Sequence, residues 1–460
     1  MANKTQTAIT AAASGILAAL FIWRAITGGS SLLGLFTGSA LLVLFLFCVI
    51  PFVSSAWDAF AKTAPPSPDA SLSARSLRRE RRHPWAQIVM FMLLTRLLLY
   101  VAAYVFYCLA RENYPGGILD TLRTIWLRSD SPSYLGISEH WYVTAGDPRF
   151  HIVFFPFYPV AMALFNPLTK SSFASAMIVS NLSAIVAAIL AYEVAALDMR
   201  RADALRAMKM LFILPAAFFF AAPMTESLFL ALTLACVYFV RKKRYLFGCL
   251  FGALAGFTRS VGGLLLVFAA FEWLADLLSD RRAGTLKANA KTHILRFLSM
   301  LILPLGLAGY LYINYAVTGN ALTFMKYQSE HWGQGFGYFF ESTATQIEHL
   351  VYAFNAGELN KVLGLWLPNL LYTFASLGVI AAAAKKLRPS YTAYFLAYFI
   401  VACGATWLLS SPRYLTAAFP LAFAVALIAD TKKKDAVVTL VSLALLLAYL
   451  GMYANGQYVY

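Results

Sequence analysis

Apolar runs of roughly 17–25 residues recur along the whole chain, each long enough to cross the ~30 Å hydrocarbon layer of a bilayer as a helix. They fall near 8–25, 32–54, 85–110, 172–197, 206–222, 225–240, 244–258, 261–278, 294–316, 362–384, 391–409, 414–430 and 436–454. The pattern predicts an all-α polytopic membrane protein with about thirteen spans, the short 244–258 run among them. The first two runs close on Thr27-Gly-Gly-Ser-Ser31. With no small-residue cleavage site between them, they read as a retained membrane hairpin over 1–60 and not as a removed signal peptide. The polar stretch 61–84 holds Pro65-Pro-Ser-Pro68 and the basic run Arg75-Ser-Leu-Arg-Arg-Glu-Arg-Arg82, a composition expected of a flexible linker. A main helical body over 85–460 follows. The Phe154–Phe165 run is too short and too rich in proline to cross, and is expected to re-enter or lie on the membrane surface.

The polar residues between runs set the orientation. Linker 61–84, Arg200–Arg206, Arg241-Lys-Lys-Arg244, Asp280–Arg296, Lys385-Lys-Leu-Arg388 and Lys432-Lys-Lys434 all fall on one side of the alternation. By the positive-inside rule that side is cytoplasmic, with the N-terminus inside, the C-terminus outside, and two long aromatic loops, 111–171 and 317–361, outside. Trp126, Trp141 and Tyr142 fit an interfacial aromatic belt. Of 460 residues, 60% are hydrophobic and 13% charged, which excludes an ordinary soluble domain. A formal net charge of +16 would suit a nucleic-acid partner, but these cations sit in short loops between spans and do not form a binding groove. The five cysteines lie inside apolar runs with no metal-ligand spacing, and read as small buried hydrophobes.

Chemistry concentrates in the first outer loop. Arg128-Ser-Asp130-Ser-Pro-Ser-Tyr134 leads to His140-Trp-Tyr142 and then to His151-Ile-Val-Phe-Phe-Pro-Phe-Tyr-Pro159. A carboxylate at a partly dry boundary can act as a base, and Asp130 is the first candidate. Asp130-Ser-Pro-Ser is also good N-terminal capping chemistry, so a structural role stands beside the catalytic one. In Pro223-Met-Thr-Glu-Ser227, Thr225 has the chemistry of a helix cap and Glu226 that of a first-turn acid. Four histidines (His140, His151, His331 and His349) share the outer face without metal-binding spacing. Arg259 and Arg413 are lone cations at outer breaks between apolar runs, where a guanidinium either snorkels or holds an anion.

These residues form ordered motifs. Asp130, Tyr134, Ile137, Tyr142 and Phe154-Phe-Pro-Phe-Tyr-Pro159 make the first; Pro215-Ala-Ala-Phe-Phe-Phe with Thr225-Glu-Ser-Leu-Phe229 the second. Thr258-Arg-Ser260 with Gly262 make the third, and Ser411-Pro-Arg-Tyr414 with Phe419-Pro420 the fourth. In order and spacing they resemble the PIG-V family of GT-C membrane glycosyltransferases, which includes the GPI second-mannose transferase and bacterial relatives. Ser129, Ser133 and Trp141 depart from the family pattern, and 1–84 lies outside the resemblance. The resemblance implies a GT-C-type helical bundle that transfers a sugar, with mannose favoured, from a polyprenyl-phosphate donor. The acceptor is a hydroxyl of a glycan, glycolipid or protein, attacked with inversion at the extracytoplasmic face of a bacterial plasma membrane, or of the ER membrane in a eukaryote. It implies Asp130 as base, Arg259 and Arg413 on the donor phosphate, and Glu226 near the sugar or acceptor. Tyr134, His140, Tyr142, His151, Tyr158, Tyr414 and His331 are expected to line the substrates. Arginines can hold a phosphate leaving group, so no cofactor is obligatory, and the sequence gives no support for a divalent metal. A polyprenyl-phosphate or glycolipid flippase is the alternative reading, and a purely structural membrane protein a third.

Overall fold

A computed structural model describes residues 4–61, 83–111 and 116–460; most of the linker expected over 61–84 lies outside them. The described chain is helical throughout, with a single isolated extended bridge, Phe336 to Ala405, among the described residues. In order the helices are α1 (Lys4–Thr27), α2 (Leu32–Ala61), α3 (Trp85–Leu109), α4 (Ile118–Trp126) and α5 (Ser131–His140). Next come α6 (Phe157–Thr169), α7 (Ser172–Ala195), α8 (Arg201–Ile213), α9 (Glu226–Arg241) and α10 (Tyr245–Thr258). Then follow α11 (Leu265–Arg282), α12 (Leu286–Met300), α13 (Leu305–Thr318), α14 (Thr323–Trp332) and α15 (Phe339–Asn355). The last are α16 (Leu359–Ala383), α17 (Pro389–Cys403), α18 (Ser411–Ala417), α19 (Pro420–Ile428) and α20 (Lys432–Ala454).

The apolar runs and the helices coincide, and the chain is an integral multi-pass membrane protein. Eight helical segments are long and apolar enough to cross a membrane, or up to ten if each of two bent pairs is one span. The runs near 206–222, 225–240, 244–258 and 391–409 hold helices of only 13, 16, 14 and 15 residues. A helix needs about 20 residues to bridge the hydrocarbon alone. Of these shorter ones, α9 packs against both α7 and α10, whereas α10 exposes Leu246, Phe247 and Leu250 on its outer side. The segment expected to re-enter is sharply broken: a 3-10 turn at Asp147–Val153 and α6 meet at 115°.

Burial within each helix shows which face meets lipid. On α3, Leu93, Leu94, Leu97, Leu98, Val101 and Val105 are exposed, while Ile88, Met92, Leu99, Ala103 and Tyr107 are buried. In water such an apolar stripe would be a liability; in a bilayer it is the lipid face. The interior is aromatic, with Phe218, Phe219, Phe220, Phe229, Tyr394, Tyr398 and Phe419 almost wholly enclosed.

The N-terminal hairpin is packed onto the body. Arg24 pairs with Glu341 on α15, and Ser31 donates to Glu348 Oε1 from its backbone N–H at 2.9 Å and its hydroxyl at 2.5 Å. A Cβ at Gly38 would lie 2.8 Å from the Phe340 carbonyl oxygen, so α2 and α15 approach as closely as glycine allows. Two of the three residues assigned to an interfacial belt are interior. Trp126 has no exposed surface, with its ring edge-on to Tyr100 at 5.2 Å, and Tyr142 is 7% exposed, donating to the Phe154 carbonyl at 2.6 Å. Trp141 alone of the three is exposed. The reason is that α4 and the 141–154 turn fold back against the bundle and bury their rings.

At the end of the bundle opposite Asp130, ion pairs tie the helices together. Arg388 contacts both oxygens of Glu272 at 2.6 and 2.9 Å, and Arg241 both oxygens of Asp198 at 2.6 and 2.8 Å. Helix α9 runs from Glu226 to Arg241, about 24 Å at 1.5 Å per residue, and so separates the two charged ends.

Candidate functional site

Four charged residues from four distant segments meet at one end of the bundle. Arg413 donates through Nε to Glu226 Oε1 at 2.6 Å and through Nη2 to Asp130 Oδ2 at 2.5 Å. Arg259 donates through Nη1 to the same Glu226 oxygen and to Thr225 Oγ1 at 3.1 Å. The Tyr414 ring lies beneath both guanidinium groups, 5.0 Å from that of Arg259 and 5.5 Å from that of Arg413. Two carboxylates and two arginines cancel in charge. Glu226 is fully buried and Arg413 is 4% exposed, whereas the Asp130 side chain keeps 30% of its surface. Asp130 Oδ1 has no hydrogen-bond partner among the described residues.

Local structure delivers each group. Asp130 stands at the N-cap position of α5, but its side chain makes no capping hydrogen bond and turns to Arg413. The residue before it, Ser129, adopts φ +52°, a left-handed conformation unusual for a non-glycine residue, which redirects the chain at the carboxylate. Thr225 likewise makes no capping bond at α9, its hydroxyl being the acceptor for Arg259. The Ser227 hydroxyl closes this turn by donating to the Phe220 carbonyl at 2.6 Å. Arg259 is extended at the end of α10, and the chain then folds back in a 3-10 turn, Ser260–Leu264. A Cβ at Gly262 would sit 2.4–2.5 Å from backbone atoms of Ala255 and Gly256, so only glycine permits that return.

Arg413 is held by residues from other helices. The Asn369 Oδ1 of α16 accepts from the Ser411 backbone N–H at 3.1 Å, and its Nδ2 donates to the Leu408 carbonyl at 3.2 Å. Thr373 donates to the Ser411 hydroxyl at 3.2 Å, and the Tyr398 hydroxyl donates to the Tyr414 carbonyl at 2.9 Å. Just upstream, the Gly337 N–H donates to the Gly404 carbonyl at 2.7 Å and the Thr406 N–H to the Gly335 carbonyl at 3.0 Å, joining the 317–361 loop to the segment that leads into Arg413. Snorkelling does not describe either arginine. Arg413, 4% exposed, is paired with Glu226 and Asp130, and Arg259, 13% exposed, is paired with Glu226.

The other expected site residues divide. Tyr134, buried on α5 with its ring edge-on to Phe154 at 5.2 Å and Tyr158 at 5.4 Å, lies beside the cluster. Burial, then the charges of Asp130 and Glu226, hold its phenol above the ordinary range, so it stays protonated. Tyr414 belongs to the cluster. Tyr142 anchors the loop through Phe154, and Tyr158 is wholly buried with its hydroxyl bonded to the Ala176 carbonyl and Ser180, so both are framework. His140 is at the far end of α5, about 15 Å along the helix from Asp130, with 77% of its side chain exposed. His331 stacks on Phe150 at 4.3 Å and is packed against Trp332, stapling the 111–171 and 317–361 loops together. His151 is half-buried against Gly136, and burial holds its imidazole below the ordinary value. Glu226, expected near sugar or acceptor, is fully buried and accepts from both Arg259 and Arg413 through Oε1. Among the described residues no three His, Cys, Asp or Glu side chains come together as a metal site.

Sequence reasoning missed Thr225 as an acceptor and Asn369 as a clamp. The lone amide of Asn369 within an apolar run was the available signal.

No family model matches this chain, and no curated protein sequence matches it. Among solved structures it is similar to ArnT from Cupriavidus metallidurans bound to undecaprenyl phosphate, with a TM-score of 0.47 and 14% identity over 80% of this chain and 75% of that one. It is also similar to the archaeal oligosaccharyltransferase AglB from Archaeoglobus fulgidus in complex with an inhibitory peptide and a dolichol-phosphate, with a TM-score of 0.39 and 10% identity. That match covers 80% of this chain and 56% of AglB, so the chain spans about half of that protein's length.

Proposed function

We propose that this protein is an inverting membrane glycosyltransferase with a GT-C-type bundle. It moves a sugar, with mannose favoured by the motif resemblance, from a polyprenyl-phosphate donor to an acceptor hydroxyl. One observation carries the reading: Asp130, Glu226, Arg259 and Arg413, which belong to four separate motifs, converge on one half-open ion cluster. A chain with only structural needs has little use for two arginines and two acids gathered at a membrane boundary. The basic loops at the opposite end support an extracytoplasmic position for the cluster.

In the proposed reaction the donor phosphate lies on Arg259 and Arg413. The acceptor hydroxyl attacks the anomeric carbon from the opposite face, and its proton passes to the Asp130 carboxylate. The new bond is acceptor oxygen to anomeric carbon; the broken bond is anomeric carbon to phosphate oxygen. Its electron pair leaves with the polyprenyl phosphate, whose charge the guanidinium groups stabilise. Glu226 fixes both arginines without entering the chemistry.

The test is turnover. Purified protein is incubated with a panel of polyprenyl-phosphate sugars and candidate acceptors, and free polyprenyl phosphate and glycosylated product are measured. Release with one sugar and retention of the others supports the reading. Movement of intact lipid across vesicles with no release from any donor would replace it with the flippase alternative.

A further inference from the structure

Resting on that reading, we propose that Asp130 and the donor phosphate compete for Arg413, so that donor binding frees the base. In the absence of substrate Arg413 is paired with two carboxylates: Nε holds Glu226 and Nη2 holds Asp130. The cluster is neutral, so an arriving phosphate finds no unneutralised cation. A phosphate that binds Nη2 takes it from the carboxylate already there. Glu226 cannot yield, because it is fully buried and shared with Arg259; releasing it would strand a charge with no access to water. Asp130 can. It is the exposed member of the cluster, and its departure from Arg413 carries it toward solvent instead of into apolar surroundings.

The exchange has a chemical consequence. The Asp130 oxygen held by Nη2 has that N–H on a lone pair it would otherwise offer to an acceptor hydroxyl. When the phosphate takes Nη2, Asp130 Oδ2 is released and both carboxylate oxygens are open to the acceptor hydroxyl. No covalent bond changes in this step; one anion replaces another on Arg413. The whole carboxylate is then open to the acceptor only when a donor is in place, which favours donor binding before proton transfer.

The distinguishing experiment measures binding of farnesyl phosphate, a short polyprenyl phosphate that cannot transfer sugar, to the full chain in detergent at fixed salt. If Asp130 competes, Asp130→Asn binds this probe at least about tenfold more tightly than wild type, although transfer is lost. In an Arg413→Gln background the same substitution gives no gain, because the object of the competition is gone; a general field effect would persist there. Should Asp130→Asn fail to fold, Asp130→Ser supplies the same comparison. Equal or weaker probe binding in the folded variants overturns the competition while leaving the proposed transfer intact. Full transfer activity in Asp130→Asn overturns the reading on which it rests.

Discussion

Replacing Arg413 tests whether the cluster is built for a phosphate. The guanidinium is 4% exposed and makes charge-assisted bonds of 2.5 and 2.6 Å to two carboxylates. Each such bond contributes about 1.5–3 kcal/mol. Arg413→Lys keeps the charge but not the planar fork, and an ammonium cannot serve both carboxylates and a phosphate with the same geometry. The fold should survive, since Glu226 retains Arg259, and donor use should fall by about tenfold. Arg413→Gln removes the charge. Breaking a buried pair costs about 3–5 kcal/mol when the surviving ion is left alone, and Arg259 should reduce that loss here. Losing one charge-assisted bond to phosphate should then weaken the donor by roughly ten- to a hundredfold. Donor titrations of transfer, together with farnesyl phosphate binding and a thermal melt, separate binding from folding. A well-folded Arg413→Gln protein with wild-type donor affinity would refute the assignment.

Further outcomes follow from individual contacts. Asn369→Ala strips partners from the buried Ser411 N–H and the Leu408 carbonyl, each worth about 1–3 kcal/mol when orphaned; both the thermal melt and donor affinity should fall, whereas Asn369→Asp, which keeps the Ser411 acceptor, should recover part of the affinity. Cysteines introduced at the exposed Ala145 and Ala288 should react with a membrane-impermeant maleimide from opposite sides of the membrane, and labelling from the same side would break the topology. Burial keeps His151 neutral in the fold where the unfolded chain takes up a proton, so its contribution is complete above about pH 6.5 and is lost as the pH falls below it. The melting temperature should therefore drop between about pH 7 and 5.5, and His151→Gln should remove that part of the dependence.

Local pattern carried the sequence reading a long way. Helix positions follow from apolar run length, which is a property of consecutive residues. The motif residues Asp130, Glu226, Arg259 and Arg413 also stood out individually, because charge is conspicuous in an apolar chain. Their partnership did not. Asp130 and Arg413 are 283 positions apart, and only the folded bundle brings them together. Single-residue logic favoured capping for Asp130 and Thr225, since a Ser/Thr/Asp ahead of a helix caps it in most contexts; here a guanidinium outcompeted the backbone N–H groups for both side chains. Run length also overstates what an isolated helix can do: α8, α9, α10 and α17 read as spans but are short helices, several of them enclosed by neighbours. The docking of α1 and α2 on α15 was hidden because Glu341 and Glu348 look like ordinary surface acids until the hairpin supplies Arg24 and Ser31.

The central claim is that Asp130 removes the acceptor proton during sugar transfer. The most direct measurement is the single-turnover transfer rate of Asp130→Asn with a saturating polyprenyl-phosphate sugar identified from the panel. Asparagine is close to isosteric and equally able to cap a helix, but it cannot accept a proton. Loss of a positioned base costs roughly 10²–10⁴-fold, so a folded, donor-binding protein at least about a hundredfold slower is expected. A variant that transfers sugar at the wild-type rate would contradict the account and leave Asp130 as no more than Arg413's partner.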